Sequence, residues 1–320
     1  MNRRLSLVRC LYLAAATAGG LWMPGCGAGD SRSDDPAAGS LRVVCTTGQI
    51  ADMLRNIGGP HVTVDPLMGP GVDPHLYKAT PGDIRKLNSA DAVFYNGLHL
   101  EGRLADLLQK LARRRPAYAV TDGVRQNQSR LLREIPGSEA HYDPHVWLDV
   151  LLWARCVEYA AEKLIALDAE HADDYRRRAD AYLAELAELH ESCRQRLSEI
   201  PKVQRVMVTA HDAFGYFGDA YDVEVHGLQG ISTADETDLA TANRLVDMLV
   251  KRRIKSVFVE SSVPPKNIRS LVEACAARGH TVRVCEKELY SDALGPGGTP
   301  AETYAGMVRY NVETIVEALK

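Results

Sequence analysis

Two tripeptides of the chain repeat, Asp73-Pro74-His75 and Asp143-Pro144-His145. In each, the proline fixes its own φ and drives the preceding aspartate into an extended conformation, so the imidazole is presented from a rigid turn. A single such histidine is ordinarily a surface or packing residue, whereas two in the same setting point to a shared ligand. His211, in Val208-Thr209-Ala210-His211-Asp212, lies directly beyond the β-branched run Arg205 to Val208, at the carboxyl end where open α/β sheets gather their ligands. Asp292 falls in the loop Tyr290-Ser291-Asp292-Ala293-Leu294-Gly295, after the run Thr281 to Val284. Three neutral imidazoles and one carboxylate would give a divalent cation a nitrogen and oxygen shell with a single negative charge. Such a shell suits Zn²⁺ or Mn²⁺, is poor for Cu(I), and offers calcium too few oxygens.

Three carboxylates are placed to orient these imidazoles by hydrogen bonding: Asp73, Asp143 and Glu260, the last ending the run Ser256 to Val259. Each reads equally well as a turn or cap carboxylate. His141 is the reserve ligand. His61, His99, His171, His190, His226 and His280 lack repeated rigid settings and are expected at the surface or in packing. The runs Arg113-Arg114-Arg115 and Arg176-Arg177-Arg178 read as solvated faces that a partner protein could meet.

The elements that must position these groups alternate. Strand-like runs at Leu41 to Thr46, Val62 to Leu67, Ala92 to Tyr95 and Ala117 to Val120 are separated by helical patterns, which implies a parallel sheet. Thr80-Pro81-Gly82-Asp83 carries a capping residue, a proline in the first helical position and an acid three residues after the cap. Strand-like runs return at Arg205 to Val208, Val223 to Val225, Ser256 to Val259 and Thr281 to Val284, so a second α/β lobe is expected. Between them, Leu148 to Glu199 contains no Gly or Pro. Tyr175, Ala179, Tyr182, Leu186, Leu189, Cys193 and Leu197 recur there at steps of three and four, the period of one helical face. With Asp168 as a cap, the stretch divides into a helix ending near Leu167 and a second of about 30 residues, roughly 45 Å long. A helix of that length either bridges both lobes or packs with its neighbour inside one. The expected division is 41–150 for the first lobe, 151–201 for the linking helices and 202–320 for the second lobe. Two candidate ligands precede the long helix and two follow it, which places their site between the lobes.

The 320 residues are 46% hydrophobic and 25% charged, the balance of a folded globular chain rather than a disordered or fibrous one. A formal net charge of −4 supplies no basic excess for a phosphate backbone, so nucleic acid is not expected as a partner. Residues 1–25, with Arg3 and Arg4 ahead of an apolar run, have the order of a secretory signal peptide. Met23-Pro24-Gly25-Cys26 resembles a lipobox in which Cys26 would be acylated; the plain alternative is a cleaved signal without lipid. Residues 26–40, rich in Gly, Ser, Asp and Pro, read as a flexible tether. Five cysteines remain, Cys45, Cys156, Cys193, Cys275 and Cys285. Cys275 with Cys285 is the sequence-local candidate for a disulfide; otherwise all five are small buried hydrophobes.

Five stretches together resemble the zinc- and manganese-specific solute-binding proteins of bacterial ABC importers, the TroA-like metal-binding lipoproteins. They are Gly71-Val72-Asp73-Pro74-His75, Asp143-Pro144-His145-Val146-Trp147-Leu148-Asp149, Thr209-Ala210-His211-Asp212-Ala213-Phe214-Gly215-Tyr216-Phe217, Gly227-Leu228-Gln229-Gly230-Ile231-Ser232-Thr233 and Phe258-Val259-Glu260-Ser261-Ser262. The resemblance covers nearly everything after residue 41. It implies an α/β fold of two lobes, each with a four-stranded parallel sheet flanked by helices, joined by one long backbone helix. It also implies that His75, His145, His211 and Asp292 hold one Zn²⁺ or Mn²⁺ per chain, carried as cargo. Members with Glu at the His211 position are manganese-selective, and zinc importers often carry a His-rich acidic loop after the first ligand. This sequence has His211 and no such loop, which leaves both metals open.

The expectation that follows is an extracytoplasmic monomer, in the periplasm or on the outer face of a membrane, that captures the ion and delivers it to a membrane permease. Affinity should fall as pH drops through the imidazole range near 6.5. Two other readings use the same residues. A surface adhesin is compatible with a lipid anchor. A metallohydrolase would keep an open water position on the metal beside a general base, and no HExxH, GxSxG or P-loop pattern is present.

Overall fold

The β-branched runs form strands where a helix can return the chain to the same edge of a sheet. The computed structural model describes residues 40–135, 142–235 and 237–320. In the first half, β1 (Leu41–Cys45), β2 (Val62–Pro66), β3 (Ala92–Tyr95) and β4 (Ala117–Ala119) pair in parallel in the order β2-β1-β3-β4. The connecting helices are α1 (Gly48–Gly58), α2 (Pro81–Ser89) and α3 (Ala105–Ala112), and α4 (Asp122–Gln128) follows β4. At α2, Thr80 and Asp83 form the reciprocal capping box that their spacing predicts.

The second half contains β5 (Val206–His211), β6 (Glu224–Gln229), β7 (Ser256–Val257) and β8 (Arg283–Val284). These four parallel strands form two pairs, β5 with β6 and β7 with β8. Phe258 N–H donates to the Val208 carbonyl at 2.8 Å and joins the pairs, giving the order β6-β5-β7-β8, the same winding as in the first half. The expected four-stranded sheet is therefore stitched in its middle by one bond rather than a full ladder. Helices α7 (Gly215–Tyr221), α8 (Leu239–Arg252), α9 (Lys266–Ala277) and α10 (Tyr304–Leu319) complete it.

Between the halves run α5 (Val150–Leu167) and α6 (Ala172–Ser198), of 18 and 27 residues. The seven apolar residues that predict the inner face of α6 are its buried residues. Asp168 does not cap α6 directly. It sits at the break before a short 3₁₀ turn and accepts from Tyr175 Oη at 2.7 Å, with His171 Nδ1 at 2.8 Å.

Strand alternation divides the interior into three parts. Val43 and Met207 face a central core shared by α1, α5, α6, α7 and α10, whereas Val44 faces an outer core with Leu87 and Leu108, and Val208 another with Leu249 and Ile268. The central core joins residues of both halves, from Ile50 and Leu54 through Leu186 to Phe217 and Ile315. An apolar interface of this kind resists hinge motion, because separating it would expose the whole face to water.

Among the described residues, Cys275 and Cys285 are free, as are Cys45, Cys156 and Cys193. Cys275 packs in the outer core of the second half and Cys285 against the central core, so the sheet separates them. Among the described residues no helix is long and apolar enough to cross a membrane. The leader, Cys26, the tether apart from Ser40, and His141 lie outside the described residues.

Candidate metal centre

The two Asp-Pro-His turns, the end of β5 and the loop after β8 converge. His75, His145, His211 and Asp292 each offer one donor atom, and those atoms all lie within 4.8 Å of one another. His75 Nε2 is 3.3 Å from His145 Nε2, His145 Nε2 is 3.4 Å from Asp292 Oδ1, and His211 Nε2 is 3.4 Å from Asp292 Oδ2. Donors bound to one ion at ~2.0–2.1 Å lie about 3.3–3.4 Å apart in a tetrahedron, and these three spacings, which draw on both oxygens of Asp292, are of that size. Among the described residues, His211 Nε2 and Asp292 Oδ1 are buried with no hydrogen-bond partner, which is costly unless something else satisfies them.

The imidazoles are aimed by carboxylates. Asp143 Oδ1 accepts from His145 N–H at 3.0 Å and lies 2.7 Å from the ring's Nδ1. Glu260 repeats the arrangement on His211: Oε1 accepts the backbone N–H at 3.0 Å, and Oε2 lies 2.5 Å from Nδ1. In both, Nε2 is left to face the centre. Asp73 differs from the expectation that it would meet a ring. Its Oδ1 accepts the backbone N–H of His75 at 2.9 Å, and its Oδ2 accepts from Thr233 Oγ1 at 2.6 Å, a bond from the second half to the first.

Charge at the centre follows from burial and these neighbours. Burial alone disfavours charge on His145, yet Asp143 and Asp292 outweigh it and hold the imidazole up at about 9. Burial is likewise outweighed at His211, where Glu260 and Asp292 raise the imidazole well above its usual range. Asp292 is held well below the carboxylate range, against its own burial, by His211, His145 and His75. His75 has no carboxylate against its ring, and burial pushes it down to about 3. The carboxylates thus favour positive charge on two of the three imidazoles, His145 and His211, while burial disfavours it on His75.

Trp147 and Ser262, to which sequence reasoning gave no role, tie the site together. Trp147 Nε1 donates to the Ser291 carbonyl at 2.8 Å, joining the His145 turn to the Asp292 loop, and Ser262 Oγ donates to Asp292 Oδ2 at 3.1 Å. No spacing rule could have found either, because each partner is remote in sequence. The other histidines stay apart: His61 stacks on His171, His280 Nε2 is 2.7 Å from the Ile254 carbonyl, and His99 is exposed. His75, 6% exposed, is the candidate ligand nearest solvent, at the base of a cleft of about 360 Å³ lined also by Leu98, His99, Pro144, Asp212 and Ile231.

Residues 43–318 match the family described as zinc-uptake complex component A, periplasmic (ZnuA). The chain belongs to this family. The manganese-binding lipoprotein MntA of Bacillus subtilis is 46% identical over 295 residues, 92% of this chain and 94% of its own. The zinc-binding protein TroA of Treponema pallidum is 44% identical over 286 residues, 89% and 91% of the two chains. The solved structure of periplasmic zinc-binding TroA from Treponema pallidum superposes with a TM-score of 0.83, covering 88% of this chain and 99% of that one. The ZnuA-family fold is therefore the α/β architecture described above.

Proposed function

We propose that this ZnuA-family protein captures a divalent transition-metal ion, zinc or manganese, outside the cytoplasmic membrane and delivers it to the permease of an ABC importer. The observation that carries the reading is the buried convergence of three imidazole nitrogens and one carboxylate at spacings that suit one ion. Relatives of similar identity are named for manganese and for zinc, so the cargo is stated as either. The protein is not an enzyme. Three imidazoles and a carboxylate would supply at least four donor atoms and leave a tetrahedral ion no water position for hydrolysis, and the relatives are named as metal-binding and transport proteins. The same names disfavour adhesion as the primary role.

All four donors come from one chain, which supports action as a monomer. Cys26 is proposed as the site of a lipid anchor, a reading supported by the lipoprotein names of several relatives. Capture displaces protons from the cluster, with Asp143 and Glu260 keeping the rings in place as charge changes from proton to metal. Release needs a local opening at the His75 cleft, since the shared central core opposes a hinge. The Asp73–Thr233 bond spans that opening and must break.

Elemental analysis of protein purified without added metal tests the reading. A single zinc or manganese per parent chain, and almost none in His75→Ala and Asp292→Ala, is expected. Undiminished metal in either variant removes that residue from the site.

A further inference from the structure

Among the described residues Asp292 is the one carboxylate that faces the centre directly, and how it is turned decides how many oxygens an ion meets. Its two oxygens are each 3.4 Å from a different imidazole nitrogen, Oδ1 from His145 and Oδ2 from His211. The carboxylate therefore stands with both oxygens toward the cluster rather than with one turned away. Carboxylate torsions are broad and roughly two-fold, so nothing in the aspartate itself fixes this angle. Ser262 Oγ donates to Oδ2 at 3.1 Å and lies 3.2 Å from Ser291 Oγ, which sits on the residue before Asp292. The hydroxyl thus grips one carboxylate oxygen while resting against the side chain of the preceding residue.

We propose that Ser262 is a positioning residue that sets the metal preference of the centre by holding both oxygens of Asp292 toward the ion. The proposal rests on the metal-capture reading. Zinc is content with four ligands in a tetrahedron, whereas manganese favours more numerous oxygen donors. Fixing a second carboxylate oxygen in place therefore favours manganese more than it favours zinc. Removing the hydroxyl frees the carboxylate to rotate, leaves one oxygen on the ion, and moves the preference toward zinc.

Cobalt(II) reports the shell directly, because its visible bands strengthen as coordination falls from five to four. The parent, Ser262→Ala and Ser262→Thr are loaded with cobalt, and zinc is titrated against manganese in each. Ser262→Ala is expected to show stronger cobalt bands and a zinc-over-manganese preference raised roughly tenfold, the size of effect that one hydrogen bond to a charged group produces. Ser262→Thr, which keeps the hydroxyl, is expected to match the parent. Unchanged bands and preference in Ser262→Ala overturn the proposal, as does a threonine variant that behaves like alanine, which would show that the hydroxyl is not what sets the effect. A parent that binds no cobalt, zinc or manganese overturns the capture reading itself, a result distinct from either.

Discussion

His145 and His211 are held in the same way by carboxylates that reach them by different routes. Asp143 lies two residues from His145 on the same turn, whereas Glu260 comes from the segment just beyond β7, 49 residues from His211. Each takes its histidine's backbone N–H and faces Nδ1. The first arrangement is written into a tripeptide. The second exists only once β5 and β7 lie side by side. Equal geometry from a local and a tertiary source shows that the centre selects for an orienting carboxylate, not for a particular motif.

The largest expected effects test that equality. Asp143→Asn and Glu260→Gln should each weaken metal binding by roughly 10–100-fold, the range seen when partners of metal-bound histidines are changed. Competition against a metal-sensing chelator measures it. A loss confined to Glu260→Gln would break the comparison and make Asp143 a turn residue, as its tripeptide also allows.

A second test uses protons. In the metal-free fold, His145 is held up at about 9, above the ~6.5 of an unfolded imidazole. A raised imidazole contributes stability that is fully present below pH ~6.5 and is lost as pH rises toward about 9. Metal affinity runs the opposite way over the same window, increasing about tenfold per pH unit for each proton the ion must displace. Denaturant melts of metal-free protein and chelator competition between pH 6 and pH 9 should therefore slope in opposite directions. This places the affinity change above the window near 6.5 that free imidazoles suggest, because Asp143 and Asp292 surround His145. Parallel slopes would mean that His145 does not carry the exchanged proton.

Thr233→Val sharpens the contrast at the mouth, where the Asp73 turn is fastened across the cleft rather than to its own ring. Loss of one bond to a carboxylate should speed metal release about tenfold. The cobalt spectrum of the variant should stay that of the parent, because no donor is touched. Stopped-flow transfer to a chelator reads the rate. An unchanged rate would move the opening away from Thr233.

What was legible in the sequence follows the same division between local and remote. The repeated tripeptides marked His75 and His145 as candidates that the fold brings together, and steps of three and four disclosed the buried face of α6, because both signals lie within a few residues. Strand order in the second half was less legible. There β7 and β8 are two residues each, too short for alternation to mark their ends. Ser262, Trp147 and Thr233 meet partners 30, 144 and 160 residues away, so their roles arise from packing that no periodicity records. Asp73 shows the opposite failure: its tripeptide matches that of Asp143, but a threonine from the other half redirects the carboxylate.

The smallest effect tests whether a local motif matters to the metal only when it touches the centre. Thr80 Oγ1 accepts from Asp83 N–H at 3.2 Å, and Asp83 Oδ2 accepts from Thr80 N–H at 2.7 Å, which closes the box at the start of α2. Thr80→Ala removes one half of that reciprocal pair and should lower stability by about 1 kcal/mol. Tyr77 Oη also donates to Asp83 Oδ2, at 2.8 Å, so the acid stays anchored and the loss should not spread through the turn to His75. Denaturant midpoints should fall while metal affinity stays at the parent value. A drop in affinity alongside stability would show that the first turn is positioned from α2, and that even the local route to a ligand depends on the packing of a neighbouring helix.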